Sequence, residues 1–218
     1  GMCYGIAHMA AQANIRDKIE EFVRKMALLA SKDFDAIISR ILEKRKQNLP
    51  LVPFSSGFGG REKEALKVEE KEELELLAFL DGISLYAGNH ELGFSQNWEK
   101  VFPIFNSEAV QSQFAFVKND KEKIKNILSW IVEQEESFSV TFSNEGHIIS
   151  VNKASDGTLI FVNHDHVSEI KPDDESAEEI QNSMANRGLF LANFISKLSD
   201  PLDSVSYTHL TLPTKRIV

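Results

Sequence analysis

The sequence predicts an α+β fold in which a helical N-terminal part packs on a C-terminal antiparallel sheet. Three observations support this. Up to about residue 86, apolar residues recur at helical spacing; beyond about residue 107 the period shortens towards 2; and helices and strands are segregated along the chain instead of alternating as in a parallel-sheet protein. The 218 residues, 42% of them hydrophobic, are enough for one domain that buries a core without disulfides or metal. We expect a single domain over residues 1–204, with a helical part over about 1–106, a sheet part over about 107–170 and a final helix over about 176–198.

The first element, "YGIAHMAAQANI", is small and apolar on most sides, as a helix buried at the centre of a fold would be. An amphipathic helix follows near Asp17–Ala30, carrying Ile19, Phe22, Val23, Met26 and Leu29. Another begins after Ser31 and carries Phe34, Ile37, Ile38, Ile41 and Leu42 to about Gln47. Prolines and glycines in "NLPLVPFSSGFGG" mark a loop. A Glu/Lys-rich helix over about Arg61–Tyr86 is expected to turn Leu74, Leu77, Leu80 and Ile83 inward. "QFAFVK" then reads as a strand, "DKEKIKNILSWIVEQ" as an amphipathic helix, and "SFSVTFS", "HIISVNK" and "TLIFVN" as consecutive strands. Acids in and before its first turn announce the last helix. The tail "VSYTHLTLPTKRIV" has no periodicity and back-translates into a transposon adapter used in sequencing libraries, so residues 205–218 are expected to be non-native and to lie outside the fold.

A formal charge of −9 disfavours nucleic acid or an anionic membrane surface as a partner, because both repel an acidic protein. No apolar run approaches the roughly 20 residues of a membrane span. The single cysteine excludes an internal disulfide and fits a reducing compartment. No signal peptide is visible, and the absence of Met at position 1 leaves room for a preceding segment.

That cysteine, Cys3, stands in the first turn of the central helix, where unpaired N–H groups and the positive end of the helix dipole favour a thiolate. Gly5 lets a substrate or an opposing wall come close. Far along the chain, His147 follows Gly146 at the mouth of a strand. If Ser155-Asp156-Gly157 forms a three-residue hairpin loop with Gly157 left-handed, Ala154 pairs with Thr158, Ile149 lies opposite Asn163, and His147 lies opposite Asp165. His147, Asn163 and Asp165 then share one face at the end of an apolar stripe. A two-residue loop would bring His164 or His166 to that face instead. An imidazole backed by an amide or carboxylate is what a thiol nucleophile requires, since the ring shares the thiol proton and the group behind it sets the ring's orientation and tautomer. His8, on the central helix, is expected to pack rather than react. His164 and His166 flank Asp165 in "NHDHV", but alternate residues on one strand supply two metal ligands at most, so no metal is expected.

The blocks "GMCYGIAHM", "SFSVTFSNEGHIISV" and "TLIFVNHD" resemble the cysteine, histidine and third-residue blocks of papain-like cysteine peptidases, and most of all the YopT-type branch found among secreted effectors of Legionella-like intracellular bacteria. The resemblance implies a papain-like domain whose central helix starts at the cysteine. It implies a thiol enzyme acting on a peptide or isopeptide bond through a thioester intermediate. In it Cys3 is the nucleophile, His147 the acid/base and Asn163 the orienter, with Asp165 as the alternative. Asn163 stands where that branch has aspartate, a role that asparagine fills in the wider papain group. No cofactor is implied. The substrate would be a protein or peptide, including one from a host cell, reached by export from the bacterial cytoplasm. The family's oxyanion hole uses a side-chain amide upstream of the cysteine, where this sequence offers only Gly1 and Met2; another donor or a preceding segment must supply it, because lacking it costs about 2.7–4 kcal/mol of transition-state stabilisation. The rival expectation is a papain-like scaffold without activity that serves as a host-protein interaction module, docking through the helix around Arg61–Tyr86.

Overall fold

The computed structural model describes residues 2–31, 33, 36, 39–40, 43, 72, 75–76, 78–80, 82–83, 110–184 and 188–197. The expected helix after Ser31 and the loop that follows it lie largely outside these residues, as does the tail over 205–218. The fold is α+β, with an N-terminal helical part and a C-terminal antiparallel sheet. Helices α1 (Met2–Ile15) and α2 (Ile19–Ser31) come first, followed by β1 (Val110–Lys118), α3 (Lys121–Val132), β2 (Phe138–Ser143), β3 (Ile148–Lys153), β4 (Leu159–Asn163), β5 (His166–Ile170), α4 (Asp174–Ser183) and β6 (Leu189–Lys197). The six strands run in the order β1-β6-β2-β3-β4-β5, every neighbouring pair antiparallel. No helix among the described residues is long and apolar enough to cross a membrane.

The β3–β4 hairpin has the expected register: Val151 pairs with Phe161 and Lys153 with Leu159. Its loop closes through Ala154 N–H to the Thr158 carbonyl at 2.8 Å, with Gly157 at φ 93°. A side chain is strained at that φ, and glycine is not. Helix α3 starts where Asp120 accepts a hydrogen bond from the Lys123 N–H at 3.2 Å, and α4 where Asp173 accepts from the Ser176 N–H at 2.9 Å.

The expected final helix over about 176–198 is corrected. Helix α4 ends at Ser183, and after Gly188 the chain becomes β6, a strand inserted between β1 and β2. Phe190, Ala192 and Phe194 alternate with half-buried or exposed residues, a period of 2 that places them on one sheet face with Phe138, Val140 and Phe142. The sheet part therefore reaches Lys197 and is not confined to 107–170.

Both faces of the sheet are covered. Strand residues Val140, Phe142, Ile149, Val151 and Phe161 form a core with Ile124, Leu128 and Ile131 of α3 and Ala177, Ile180 and Met184 of α4. Trp130 fills this layer, meeting Phe138 and Phe194 edge-on at centroid distances of 5.2 and 5.6 Å. On the opposite face Ile6, Met9, Ala10 and Ala13 of α1 and Phe22 and Met26 of α2 pack with Val162. The helical residues Phe79 and Ile83 join this second cluster, and the inward stripe of their segment runs through Leu76, Phe79 and Ile83. Leu80 is half-buried, and Leu74 and Leu77 lie outside the described residues.

Two polar side chains join these layers. The amide nitrogen of buried Asn14 lies 3.0 Å from each of the Phe138 carbonyl, Ser139 Oγ and the Lys153 carbonyl, and so ties the end of α1 to the start of β2 and the end of β3. Lys153 is itself buried and directs its Nζ to the carbonyls of Gln134, Glu135 and Glu136 at 2.6, 3.3 and 3.1 Å. One ammonium thereby satisfies three carbonyls where the chain leaves α3.

Candidate active site

The turn between β2 and β3 is built by Asn144. Its Oδ1 accepts the backbone N–H groups of Gly146 (3.0 Å) and His147 (2.8 Å), and its own N–H donates to the His147 carbonyl (2.9 Å). Asparagine is suited to such a turn because its side chain mimics a backbone carbonyl. The Asn144 amide nitrogen also donates to the Met184 carbonyl at 2.9 Å, anchoring the turn to the end of α4. His147 is thereby presented half-buried at the rim of the sheet, one residue before β3.

Asn163 is the last residue of β4, and its Oδ1 lies 2.7 Å from His147 Nε2. Its Nδ2 donates to Ser183 Oγ at 3.2 Å, and Ser183 Oγ donates to the Glu179 carbonyl at 2.8 Å. With the Asn163 oxygen facing the ring, Nε2 is the nitrogen that donates, and in a neutral ring the lone pair is then on Nδ1.

Asp165, the alternative orienter, does not stand beside the ring. Asn163 pairs with His166, so the chain reverses at His164-Asp165 before it reaches the position opposite His147. His164 adopts φ 55° in this turn, and the Asp165 side chain, 87% exposed, meets His164 Nδ1 at 3.2 Å. That contact holds the Asp165 carboxyl below the usual carboxylate range. His166 faces Glu179 of α4 at 3.4 Å.

Cys3 is half-buried in the first turn of α1. Asn14, near the other end of α1, sits at the Phe138/Lys153 end of the sheet, and Ala11 and Ile15 cluster with Ile195. Helix α1 lies on the Val162 face of the sheet, whereas Asn163 points to the face that carries α4. Among the described residues no hydrogen bond joins Cys3 Sγ to His147. His147 and Asn163 are therefore brought together, and Cys3 is not hydrogen-bonded to either.

Gly5 serves the close approach of a wall: a Cβ there would collide with the Ile83 carbonyl. His8 is half-buried with its ring 4.3 Å from that of Tyr4, and burial pushes its imidazole below the ordinary histidine value. Ser183 and Asn144 were not singled out by the sequence: Ser183 falls inside the segment expected to remain helical, and Asn144 lies in the block around His147, where its asparagine before Glu145-Gly146 is the one turn signal that could have marked it. No protein-family model matches the chain, and no curated protein matches it.

Proposed function

We propose that the protein is a papain-like thiol enzyme that attacks the acyl carbon of a peptide or isopeptide bond in a protein substrate. The hydrogen bond between His147 Nε2 and Asn163 Oδ1 carries this reading. It couples two residues selected from the sequence for complementary chemical roles and leaves Nδ1 as the base. In the reaction Nδ1 takes the Cys3 proton, the thiolate adds to the carbonyl carbon, and the imidazolium returns the proton to the leaving amine as the thioester forms; water then adds to the thioester with the ring as base, and the thiol is regenerated. Asn163 holds the ring through both half-reactions. The resemblance to effector peptidases extends the proposal to an exported bacterial protein that acts on a host target.

The test is alkylation of Cys3 by iodoacetamide near pH 6. The wild-type thiol is expected to react faster than a free cysteine, His147→Ala to reduce the rate to the free-cysteine value, and Cys3→Ala to abolish labelling. A wild-type rate no greater than that of free cysteine ends the proposal.

The second reading is a papain-like scaffold without catalysis that serves as a protein-interaction module. It is favoured by the missing Cys3–His147 hydrogen bond and by the position of Asn163 on the face away from α1. The helix over 61–86, its expected docking surface, lies mostly outside the described residues. Where it is described, Leu76, Phe79 and Ile83 are buried inside the fold and not available to a partner.

A further inference from the structure

We infer that Ser183, at the C-terminal end of α4, is a positioning residue that selects the tautomer of His147 through the Asn163 amide; this rests on the reading of His147 as an acid/base group. The argument is a sequence of forced donors and acceptors. The Glu179 carbonyl can only accept, so the 2.8 Å contact from Ser183 Oγ uses the serine's one hydrogen. Ser183 Oγ can then only accept from Asn163, and of the two ends of that amide only Nδ2 donates, which is the end found 3.2 Å away. With Nδ2 committed, Oδ1 is the end presented to the ring at 2.7 Å, and His147 Nε2 must carry the hydrogen. Without Ser183 the amide could rotate by half a turn and offer Nδ2 to Nε2 instead, which would move the proton to Nδ1 and remove the lone pair that faces away from Asn163.

The same helix end also holds the backbone side of the site. The Met184 carbonyl, one residue on, accepts from Asn144, whose Oδ1 binds the His147 N–H. The imidazole and its amide partner are therefore mounted on consecutive residues, one through a side chain and the other through a carbonyl. A serine that returns its hydroxyl to the carbonyl four residues earlier is ordinary at the end of a helix. What gives this one a role is the second contact, from an amide committed to a histidine.

The experiment is nuclear magnetic resonance on the 15N-labelled full chain, which follows the His147 Nε2–H signal and its exchange with water in wild type, Ser183→Ala, Ser183→Thr and Gln181→Ala. Gln181 bonds the Asn119 carbonyl from the same turn of α4 and controls for general loosening of the helix. A protected Nε2–H is expected in wild type. Ser183→Ala should exchange it roughly five- to tenfold faster, the loss of about one ordinary hydrogen bond. Ser183→Thr, which keeps the hydroxyl, and Gln181→Ala should both stay near wild type. An unprotected or absent Nε2–H in wild type, an unchanged signal in Ser183→Ala, or an equal change in Gln181→Ala overturns the inference. Iodoacetamide reactivity of Cys3 is measured on the same samples; a thiol of ordinary reactivity defeats the enzyme reading but leaves the ring measurement to decide the role of Ser183.

Discussion

Asn163 has both ends of its amide committed, one to an imidazole and one to a hydroxyl, so its two atoms are not interchangeable. Replacing it with Leu removes the acceptor at Nε2 and frees the ring to change tautomer and rotate. We expect Asn163→Leu to fold and to slow Cys3 alkylation near pH 6 by about tenfold or more, since an oriented base contributes roughly 10²–10⁴-fold. Asn163→Asp should retain most of the rate, because a carboxylate accepts the same hydrogen bond. At Lys153 the consequence is structural. Its ammonium is buried among three carbonyls, and Lys153→Met keeps the apolar stem while leaving those carbonyls without a donor. Urea denaturation is expected to show a loss of about 2–3 kcal/mol, in line with hydrogen bonds to a charged group.

Among the described helices, α1 is the most extensively buried. Its residues Gly5 to Ala7 and Met9 to Ile15 are buried, and the Ile83 backbone lies against Gly5. Gly5→Ala must push that backbone away, so it should destabilise the fold by about 1–3 kcal/mol in spite of alanine's better helix propensity. The measurement is the urea midpoint, and a neutral or stabilising result would mean that the wall formed by Ile83 yields easily. Helix α4 shows how local signals mislead. Its acidic, capped start is strong, and Ala177, Ile180 and Met184 keep helical spacing up to its end. The alternation at Phe190, Ala192 and Phe194 that follows is equally visible in the sequence. It is concealed because Leu191, Ile195 and Leu198 also place apolar residues at helical intervals, and only pairing with β1 and β2 discriminates between the two periods.

Across the whole molecule, Asp17 connects parts of the chain far apart in sequence. It stands at φ 57° in the turn between α1 and α2, accepts from Ser137 Oγ at 2.7 Å, and pairs with Lys197 at the end of β6, also at 2.7 Å. The hydrogen bond from Lys197, then that from Ser137, holds its carboxyl below the usual value of 3.8. A carboxyl depressed in the folded state binds its proton more readily when unfolded, so the stabilisation is complete above the unfolded value and disappears as pH falls through the folded one. Asp17→Asn, which tolerates the same backbone conformation, is expected to be less stable than wild type at pH 7 and to converge with it as pH falls from 3.8 through the depressed folded value. Urea midpoints of both proteins across that range check this. A gap that persists in acid would assign the effect to backbone strain and not to charge.

The sequence alone determined what short-range physics decides: the helical and strand periods, the acidic starts of α3 and α4, and, given a three-residue loop at Ser155-Asp156-Gly157, the β3–β4 register that puts His147 and Asn163 on one face. A three-residue loop with a left-handed glycine admits one pairing, and the pairing decides which side chains share a face. Tertiary structure alone decided that β6 enters between β1 and β2, that α1 and α4 cover opposite faces, that the chain turns too early for Asp165 to reach the ring, and that Ser183 completes the hydrogen-bond chain. Apart from the two-residue turn at His164-Asp165, these depend on which apolar surfaces meet after loops of many residues close. No local pattern encodes that choice, because the free energy that makes it comes from burial shared among distant segments.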